Sequence, residues 1–169
     1  MKPGDVLLYS GTGMFSRLIR LKTWSRYSHC EVFDGNGVTF ASRDGVGVNF
    51  YPVRPDPPAL VLRLREGVPF ELLAARAWAR SVQGQGYDWI GLLSFTSAKL
   101  QGRNNNKQFC SEALARYFRH GISGALDGVP RGDARSLESH GLDPWRGRDA
   151  DAISPEAFNT SPLFFEVKA

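Results

Sequence analysis

The sequence has little cysteine and no long hydrophobic segment. Cys30 and Cys110 are its only cysteines among 169 residues, so a disulfide framework is not expected, and no CxxC pair indicates structural zinc. No apolar run approaches the roughly 20 residues that span a bilayer, so no transmembrane segment is predicted. The N-terminal MKPGDVLLYSGTG contains no long apolar region, so no signal peptide is predicted. A cytoplasmic location is expected unless the protein is released by lysis or exported by another route.

Signals for binding nucleic acids, nucleotides and metals are also missing. The net charge of +4 and pI near 9.3 weakly favour acidic surfaces, but the arginines are scattered along the chain, and no nucleic-acid partner is expected. No Walker-type or GxGxxG sequence follows a predicted strand, so no cofactor is expected. His29, Cys30 and Glu31 are adjacent, but successive strand residues face opposite sides of a sheet, so we expect no metal site.

What is present predicts one α+β domain over residues 1–169. The chain is 42% hydrophobic and 12% aromatic, which is typical of a globular protein. Apolar periodicity and turn residues predict strands in DVLLY, SHCEVF, VTFAS, VGVNFYPV, ALVLRLRE and LFFEV. They predict helices in residues 14–23, PFELLAARAWARSVQGQ, YDWIGLLSF, QFCSEALARYFRHG and SPEAF. Residues 121–152 are interpreted as an irregular insert or loop region. Runs of strands beside runs of helices predict the α+β class with an antiparallel sheet.

Cys110 lies where the helix QFCSEALARYFRHG is predicted to begin, and Gly121 is expected just after that helix ends. First-turn N–H groups and the positive end of the helix dipole stabilise a thiolate. The same N–H groups can hold an oxyanion during acyl transfer. Cys110 is therefore a candidate nucleophile. The alternative is a small apolar residue that packs, because most buried cysteines are inert.

A thiol nucleophile needs a base, usually histidine, and the chain has three. His120 follows Cys110 by ten residues, so on the same helix it would lie about 15 Å away. His140 lies in the region interpreted as irregular, where little context ranks it. His29 is the best candidate, because a strand packed against the start of a helix can face the thiol. The alternative is a hydrogen-bonded histidine of the core.

Two residues are candidates for orienting the His29 ring. Strand alternation puts His29 and Glu31 on one face and Cys30 on the other, where Cys30 is interpreted as a packing residue. Ser42 lies roughly opposite His29 if the DGNG loop is symmetric. Glu31 or Ser42 could therefore orient the ring. The alternative for Glu31 is an exposed carboxylate, paired with an arginine.

Several segments together resemble a known superfamily: GDVLLYSG, YSHCEVF-DGNG-VTFAS-RDGVGV, YDWIGLL, FCSEALARYF and ISPEAFNTSPLFFEV. In this order they look like the permuted branch of the NlpC-type papain-like superfamily, over residues 3–167. That branch includes the bacterial YiiX-like proteins and phage-encoded relatives of cell-wall hydrolases. The resemblance implies a circularly permuted papain-like fold, with an antiparallel sheet or small barrel packed against helices.

The resemblance also implies site residues. In this branch the catalytic histidine precedes the cysteine, so the histidine falls on His29 and the nucleophile on Cys110. The tyrosine of the family's "YD" segment falls on Tyr87, which supports the site or packs.

The usual third residue of the site is replaced. Relatives often carry Glu or His in a pattern like IEA or IHA in the strand after the hairpin, whereas TFAS has Phe40 and Ala41 there. Glu31 is the first substitute and Ser42 the second, and a Cys-His dyad can also work without either.

The function that the resemblance implies is a thiol hydrolase, a peptidase or amidase that cleaves an amide bond. A cell-wall peptide is the first candidate substrate, and a lipid amide or ester is the second. The alternatives are a non-catalytic member that binds a peptide or lipid in the same cleft, and a phage structural or lysis accessory protein.

Overall fold

Six strands form one antiparallel sheet. The computed structural model describes residues 1–87 and 107–168. The strands of the sheet are β1 (Val6–Tyr9), β2 (His29–Gly35), β3 (Val38–Arg43), β4 (Gly47–Pro52), β5 (Leu60–Leu64) and β8 (Phe164–Glu166). They lie in the order β4-β3-β2-β1-β5-β8. Two short strands, β6 (Gly86–Tyr87) and β7 (Lys107–Gln108), pair in parallel beside it. The sheet and the helices below confirm the predicted α+β class.

The strand β1 lies inside the sheet, between β2 and β5. All four of its residues are buried. Both faces of this strand are covered, and a strand in that position is usually a nearly continuous apolar run, as VLLY is. Val6 and Leu8 belong to the main core, whereas Leu7 and Tyr9 form a second cluster on the other face. This central strand fixes its neighbour β2, which begins with His29.

The hairpin of β2 and β3 contains a bulge next to its turn. Gly35 and Asn36 have φ angles of 102° and 50°, in the left-handed region that glycine and asparagine tolerate. Val32 pairs with Phe40, but Gly35 pairs with Val38, so the register shifts by one residue between these pairs. An extra residue on one strand of an antiparallel pair is a β-bulge, and it changes which side chains meet further along the hairpin.

The described residues also form five α-helices. They are α1 (Met14–Thr23), α2 (Leu72–Ser81), α3 (Cys110–Gly124), α4 (Ala134–Ser139) and α5 (Glu156–Asn159), with a 3-10 turn at Ala150–Ala152. The longest, α3, packs against α2, β2 and β3. Tyr117 of α3 stacks on Phe40 of β3 with ring centroids 5.6 Å apart. Most residues of α3 are buried, and they include the polar Ser111, Glu112, Arg119 and Ser123.

Residues 121–152, interpreted from the sequence as irregular, contain the end of α3, the helix α4 and the 3-10 turn. Asp133 caps α4 by accepting hydrogen bonds from two backbone amides of its first turn. Arg119 of α3 forms a buried ion pair with Asp143, with 3.0 Å between Nε and Oδ1. This pair ties the region to the helix that begins with Cys110.

Of two further helices predicted from the sequence, the structure describes one. Apart from Tyr87, the predicted helix YDWIGLLSF lies outside the described residues. The short helix predicted in SPEAF begins at Glu156, with Pro155 as its N-cap.

None of the helices in residues 1–87 and 107–168 has the length and apolar character needed to cross a bilayer.

Gly121 does not end α3 as the sequence predicted. The helix continues to Gly124 and is capped at Ala125. A Cβ atom at position 121 would clash with Cε2 of the Phe70 ring. The Phe70 ring packs on Phe118 of α3, with ring centroids 5.6 Å apart. The absence of a side chain at Gly121 therefore permits the close approach of this ring to the helix.

We expect Gly121→Ala to lower the free energy of unfolding by about 1–3 kcal/mol, the usual cost of overpacking. Alanine gains roughly 0.5–1 kcal/mol over glycine inside a helix, so the clash must outweigh that gain. Urea unfolding measures the change, and adding Phe70→Leu should recover part of the loss because it shortens the clashing side chain. A Gly121→Ala variant as stable as the wild type would contradict this packing role.

Candidate functional site

Cys110 is the first residue of α3 and follows β7. The N-cap residue, Phe109, gives the first turn no side-chain hydrogen bond. Ser42 Oγ donates a hydrogen bond to the carbonyl oxygen of Gln108, and the buried Phe109 packs on Tyr87. These contacts fix the chain on the N-terminal side of Cys110. Cys110 itself is only 3% exposed.

His29 is the first residue of β2, and its ring contacts both Cys110 and Glu31. Nε2 lies 3.0 Å from Oε1 of Glu31, and the ring lies close enough to the Cys110 thiol for each group to shift the pKa of the other. The His29 side chain is 14% exposed. The structure thus brings together the three residues that the sequence singled out, while their catalytic role stays a prediction.

The Glu31 carboxylate is fully buried and accepts hydrogen bonds on both oxygens. Thr39 Oγ1 donates to Oε2 over 2.6 Å. Arg43 donates from Nε to Oε1 and from Nη2 to Oε2, each over 2.9 Å. Arg54 Nε donates to Oε1 over 2.7 Å. A buried carboxylate is costly unless it is paired and hydrogen-bonded; here the donors meet that need and fix the oxygen that faces His29.

Aromatic rings hold the two arginines in place. The guanidinium of Arg43 lies 4.4 Å from the ring centroid of Tyr51, and that of Arg54 lies 5.4 Å from the ring centroid of Tyr9. A cation over an aromatic face is attracted by the ring quadrupole. The outer face of the sheet therefore orients the arginines, which in turn orient Glu31.

Hydrogen bonds and neighbouring charges shift the pKa values of this site. Burial alone would raise the pKa of Glu31, but hydrogen bonds from His29, Arg43 and Thr39 hold it below its usual range. Burial alone would lower the pKa of His29, but the charge and hydrogen bond of Cys110, and then Glu31, raise it above its ordinary value. These shifts favour an ionised carboxylate beside a protonated imidazole.

The pKa of the Cys110 thiol is shifted well below its ordinary value. The largest cause is a hydrogen bond from the Cys30 side chain; burial opposes it, and the charge and hydrogen bond of His29 lower the pKa further. A thiolate paired with an imidazolium is the reactive form of a thiol nucleophile. The role of Cys110 as a nucleophile stays a prediction.

Cys30 has a second role beside the packing role that the sequence predicted. It points to the face of β2 opposite Glu31, into the main core, as strand alternation predicts. There it contacts Cys110, to whose sulfur both its side chain and its backbone donate hydrogen bonds. Burial, and then the neighbouring Cys110, raise the pKa of Cys30 well above its ordinary value. Cys30 therefore stays protonated and acts as a donor to Cys110.

Ser42 does not orient His29. The prediction assumed a symmetric loop, but the bulge shifts the register, and the pairing of Val32 with Phe40 puts Ser42 opposite Cys30 when it is continued along the strands. A shift of one residue moves a side chain to the other face of a sheet. Ser42 is accordingly buried on the face that meets α3, where it donates to Gln108.

Tyr87 lies beside the site, and the other two histidines contact other parts of the protein. Tyr87 is buried and packs with Phe109 and Ile19 in a small cluster beside Cys110. His120 stacks on Trp78, with ring centroids 5.2 Å apart, and burial together with nearby arginines lowers the pKa of His120 to about 4. The His140 ring contacts the backbone oxygen of Ser136 within the α4 region.

Sequence reasoning missed the donors around Glu31. Thr39 and Arg43 lie an even number of residues apart on β3, so alternation places them on one face, and the correct register puts that face beside Glu31. Arg54 lies in the proline-rich connector RPDPPA, where no periodicity indicates its direction. Only the folded chain brings Arg54 to the site.

The fold and the site together define a class: an α+β protein in which a thiol, an imidazole and a carboxylate are in contact. Its fold is similar to that of metalloprotein yiiX from Escherichia coli O157:H7, whose crystal structure matches with a TM-score of 0.59. That likeness covers 99% of this chain and 96% of yiiX at 17% sequence identity. No known family model matches the chain.

A curated sequence relative is also found. The chain is 27% identical over 141 residues to the Probable lipoprotein peptidase YaeF of Escherichia coli strain K12. The match covers 80% of this chain and 51% of YaeF. This chain therefore spans about half the length of the curated relative that it matches.

The donors at the site do not fit a metal ion, although yiiX is described as a metalloprotein. In residues 1–87 and 107–168, no group of three or more His, Cys, Asp and Glu side chains is placed to hold one. Both oxygens of Glu31 already accept hydrogen bonds, and the cationic Arg43 and Arg54 beside them would repel a metal ion. No step of the chemistry considered below uses a metal.

We expect Glu31→Gln to lower the free energy of unfolding at neutral pH by about 3 kcal/mol, because it leaves two arginines beside a neutral amide. The folded pKa of Glu31 is depressed, so its contribution is present above the unfolded carboxyl pKa of about 4.3 and is lost as the pH falls. The difference between variant and wild type should therefore shrink in acid. Urea unfolding at neutral and acidic pH measures it.

The exposed Glu66 provides the matched control for this substitution, since Glu66→Gln removes an equal charge at the surface. We expect it to change stability by less than about 0.5 kcal/mol. A Glu31→Gln penalty that stays constant from neutral to acidic pH would contradict the buried ionised carboxylate.

Proposed function

We propose that this protein is a thiol hydrolase, a peptidase or amidase in which Cys110 is the nucleophile, His29 the base and Glu31 the group that orients His29. The observation that carries the proposal is the His29 ring, which contacts the Glu31 carboxylate at 3.0 Å through Nε2 and lies beside the Cys110 thiol, whose charge raises the pKa of the ring. A nucleophile, a base and an orienting group in this order are the general arrangement for nucleophilic catalysis.

The first half of the reaction forms a thioester. The Cys110 thiolate attacks the carbonyl carbon of an amide, and its carbonyl oxygen becomes an oxyanion. His29, which holds the proton of the Cys110 thiol, gives that proton to the amide nitrogen as the carbon–nitrogen bond breaks. The amine leaves, and the acyl group stays on the Cys110 sulfur.

The second half releases the acyl group. Neutral His29 takes a proton from a water molecule, and the resulting hydroxide attacks the thioester carbonyl. The carbon–sulfur bond breaks, the carboxylic acid leaves, and the Cys110 thiolate forms again beside protonated His29. Throughout, Glu31 keeps the ring oriented and stabilises its charged form.

Backbone amides at the start of α3 are the candidates for holding the oxyanion. The first-turn N–H groups of a helix have no partner within that helix, and the Phe109 side chain does not cap them. A developing negative charge next to Cys110 is stabilised by these donors and by the helix dipole. The same elements stabilise the thiolate before the reaction.

An amide in a peptide is the substrate class that the observations support best. YaeF is named as a probable peptidase, and the superfamily that the sequence resembles includes hydrolases of cell-wall peptides. A cell-wall peptide is therefore the first substrate proposed, and a lipid amide or ester is the second. Release of an amine from peptides, or of a fatty acid from lipids, distinguishes the two, with Cys110→Ala as the inactive control.

One observation favours a second function, that of a non-catalytic protein that binds a peptide or lipid. Cys110 is only 3% exposed, so a substrate reaches the sulfur only if neighbouring residues move. A binding protein needs no access to this atom. The ionisation of Cys110 separates the two functions, because a binding protein has no need of a thiolate.

We expect the pKa of Cys110 to lie well below the free-thiol value of about 8.5, and His29→Ala to raise it toward that value. Thiolate absorbance in the far ultraviolet measures ionisation even where a reagent cannot reach the sulfur, and the difference from Cys110→Ser isolates this thiol. The rate of alkylation by iodoacetamide across the same pH range then measures access. A Cys110 pKa near that of a free thiol, unchanged by His29→Ala, would overturn the hydrolase proposal.

The contact between the two cysteines gives a further prediction about the Cys110 pKa. Cys30→Ser keeps a donor beside Cys110, whereas Cys30→Ala removes it, so we expect the Cys110 pKa to rise in the alanine variant and to change little in the serine variant. The titration described above measures both. Equal pKa values in the two variants would show that the Cys30 side chain does not stabilise the thiolate.

A further inference from the structure

Exposed apolar side chains are concentrated on and next to α1. In the described residues, the large hydrophobic side chains with high exposure include Met14 at 77%, Leu18 at 47%, Leu21 at 72% and Trp24 at 91%. These four residues, called the α1 face below, fall within eleven positions of the chain. A contiguous exposed apolar patch on a globular protein marks an interaction site more often than scattered single residues do.

The geometry of α1 explains why this face has no partner among residues 1–87 and 107–168. Met14, Leu18 and Leu21 are spaced by four and three residues, so they lie on one side of the helix. Ile19 points to the other side, where it packs on Tyr87 and Phe109. One side of α1 is thus anchored to the protein and the other side is apolar and open to solvent.

Trp24 extends the face just beyond the end of the helix. It has a φ of 50° in the left-handed cap position, and its backbone N–H donates to the Arg20 carbonyl oxygen. A bulky residue rarely adopts this conformation, which favours glycine or asparagine. The chain instead presents an indole that is almost fully exposed, and tryptophan is the side chain that prefers the boundary between water and lipid.

The charge of this segment is of one sign. Residues 10–30 contain four of the 21 basic residues and none of the 17 acidic ones. The rest of the chain therefore has 17 basic and 17 acidic residues. Arg17, next to the α1 face, is exposed. Arg26 forms an ion pair with Glu156 of α5 at 2.9 Å, and Arg20 is half-buried with its Nε shielded from solvent. The positive net charge of the protein therefore lies in the segment that carries the apolar face.

We propose that the α1 face binds the surface of an anionic lipid bilayer. An amphipathic helix with an apolar face, basic residues and an exposed tryptophan lies in the plane of a membrane, where apolar burial and attraction to anionic lipids add. The absence of acidic residues in 10–30 favours a bilayer over a second copy of this chain, since two copies of a positive face would repel each other.

The position of the α1 face would bring the candidate site to the membrane. Ile19 on the inner side of α1 contacts Phe109, the residue before Cys110. Gly11, in the loop before α1, donates from its backbone to Ser28, the residue before His29. A protein docked through α1 would hold Cys110 and His29 near the lipid surface. The binding itself does not depend on the proposed hydrolase activity, so the test below uses no activity.

The test is sedimentation of the full chain with vesicles of phosphatidylglycerol and phosphatidylcholine, and with phosphatidylcholine alone. We expect the wild type to bind the anionic vesicles more tightly, and added salt to weaken that binding. Leu21→Glu should reduce the partition constant by about tenfold or more, the effect of removing one buried leucine side chain. Leu73→Glu is the matched control, because Leu73 is 70% exposed on α2, and it should bind like the wild type.

Any one of the following results would overturn the proposal. A wild type that binds neither vesicle, or an equal loss of binding in Leu73→Glu, rules out a specific lipid surface at α1. A melting temperature that falls in Leu21→Glu but not in Leu73→Glu means that another part of this chain covers the face. A dimer in light scattering that Leu21→Glu dissociates means that a second copy covers it.

Discussion

The buried Glu31 carboxylate is the interaction on which the rest of the site depends. Burial of this charge requires donors on every side, and Thr39, Arg43 and Arg54 supply them from β3 and the connector after β4. Its remaining contact is His29 Nε2. Because the arginines are themselves held by aromatic rings on the outer face of the sheet, the orientation of one imidazole is set by packing that extends across four strands, β1 to β4.

The other face of the sheet sets the state of Cys110. There the start of α3 lies against Cys30, whose donors lower the pKa of Cys110 while burial keeps Cys30 itself protonated. The sheet thus separates two environments: polar groups that fix the base lie on one face, and a largely apolar core that contains the thiol pair lies on the other. His29, at the first position of β2, reaches both because it stands at the end of the strand.

Local patterns in the sequence predicted elements better than contacts between elements. The alternation in SHCEVF placed His29 and Glu31 on one face and Cys30 on the other, as the structure has them. The same reasoning failed for Ser42, because a bulge next to the turn shifts the register by one residue. Gly121 was misread as a helix end for a similar reason, since its role is to admit the Phe70 ring of a distant segment.

The sequence by itself determined the α+β class, the strand that carries His29 and the helix that begins at Cys110, because hydrophobic periodicity and turn residues act over a few neighbouring positions. The tertiary structure alone decided what surrounds those residues. Arg54 reaches Glu31 from 23 residues away, and Cys30 reaches Cys110 from the far side of β2. Such contacts depend on strand order, register and helix packing, which follow from burial across the whole chain and from no single segment.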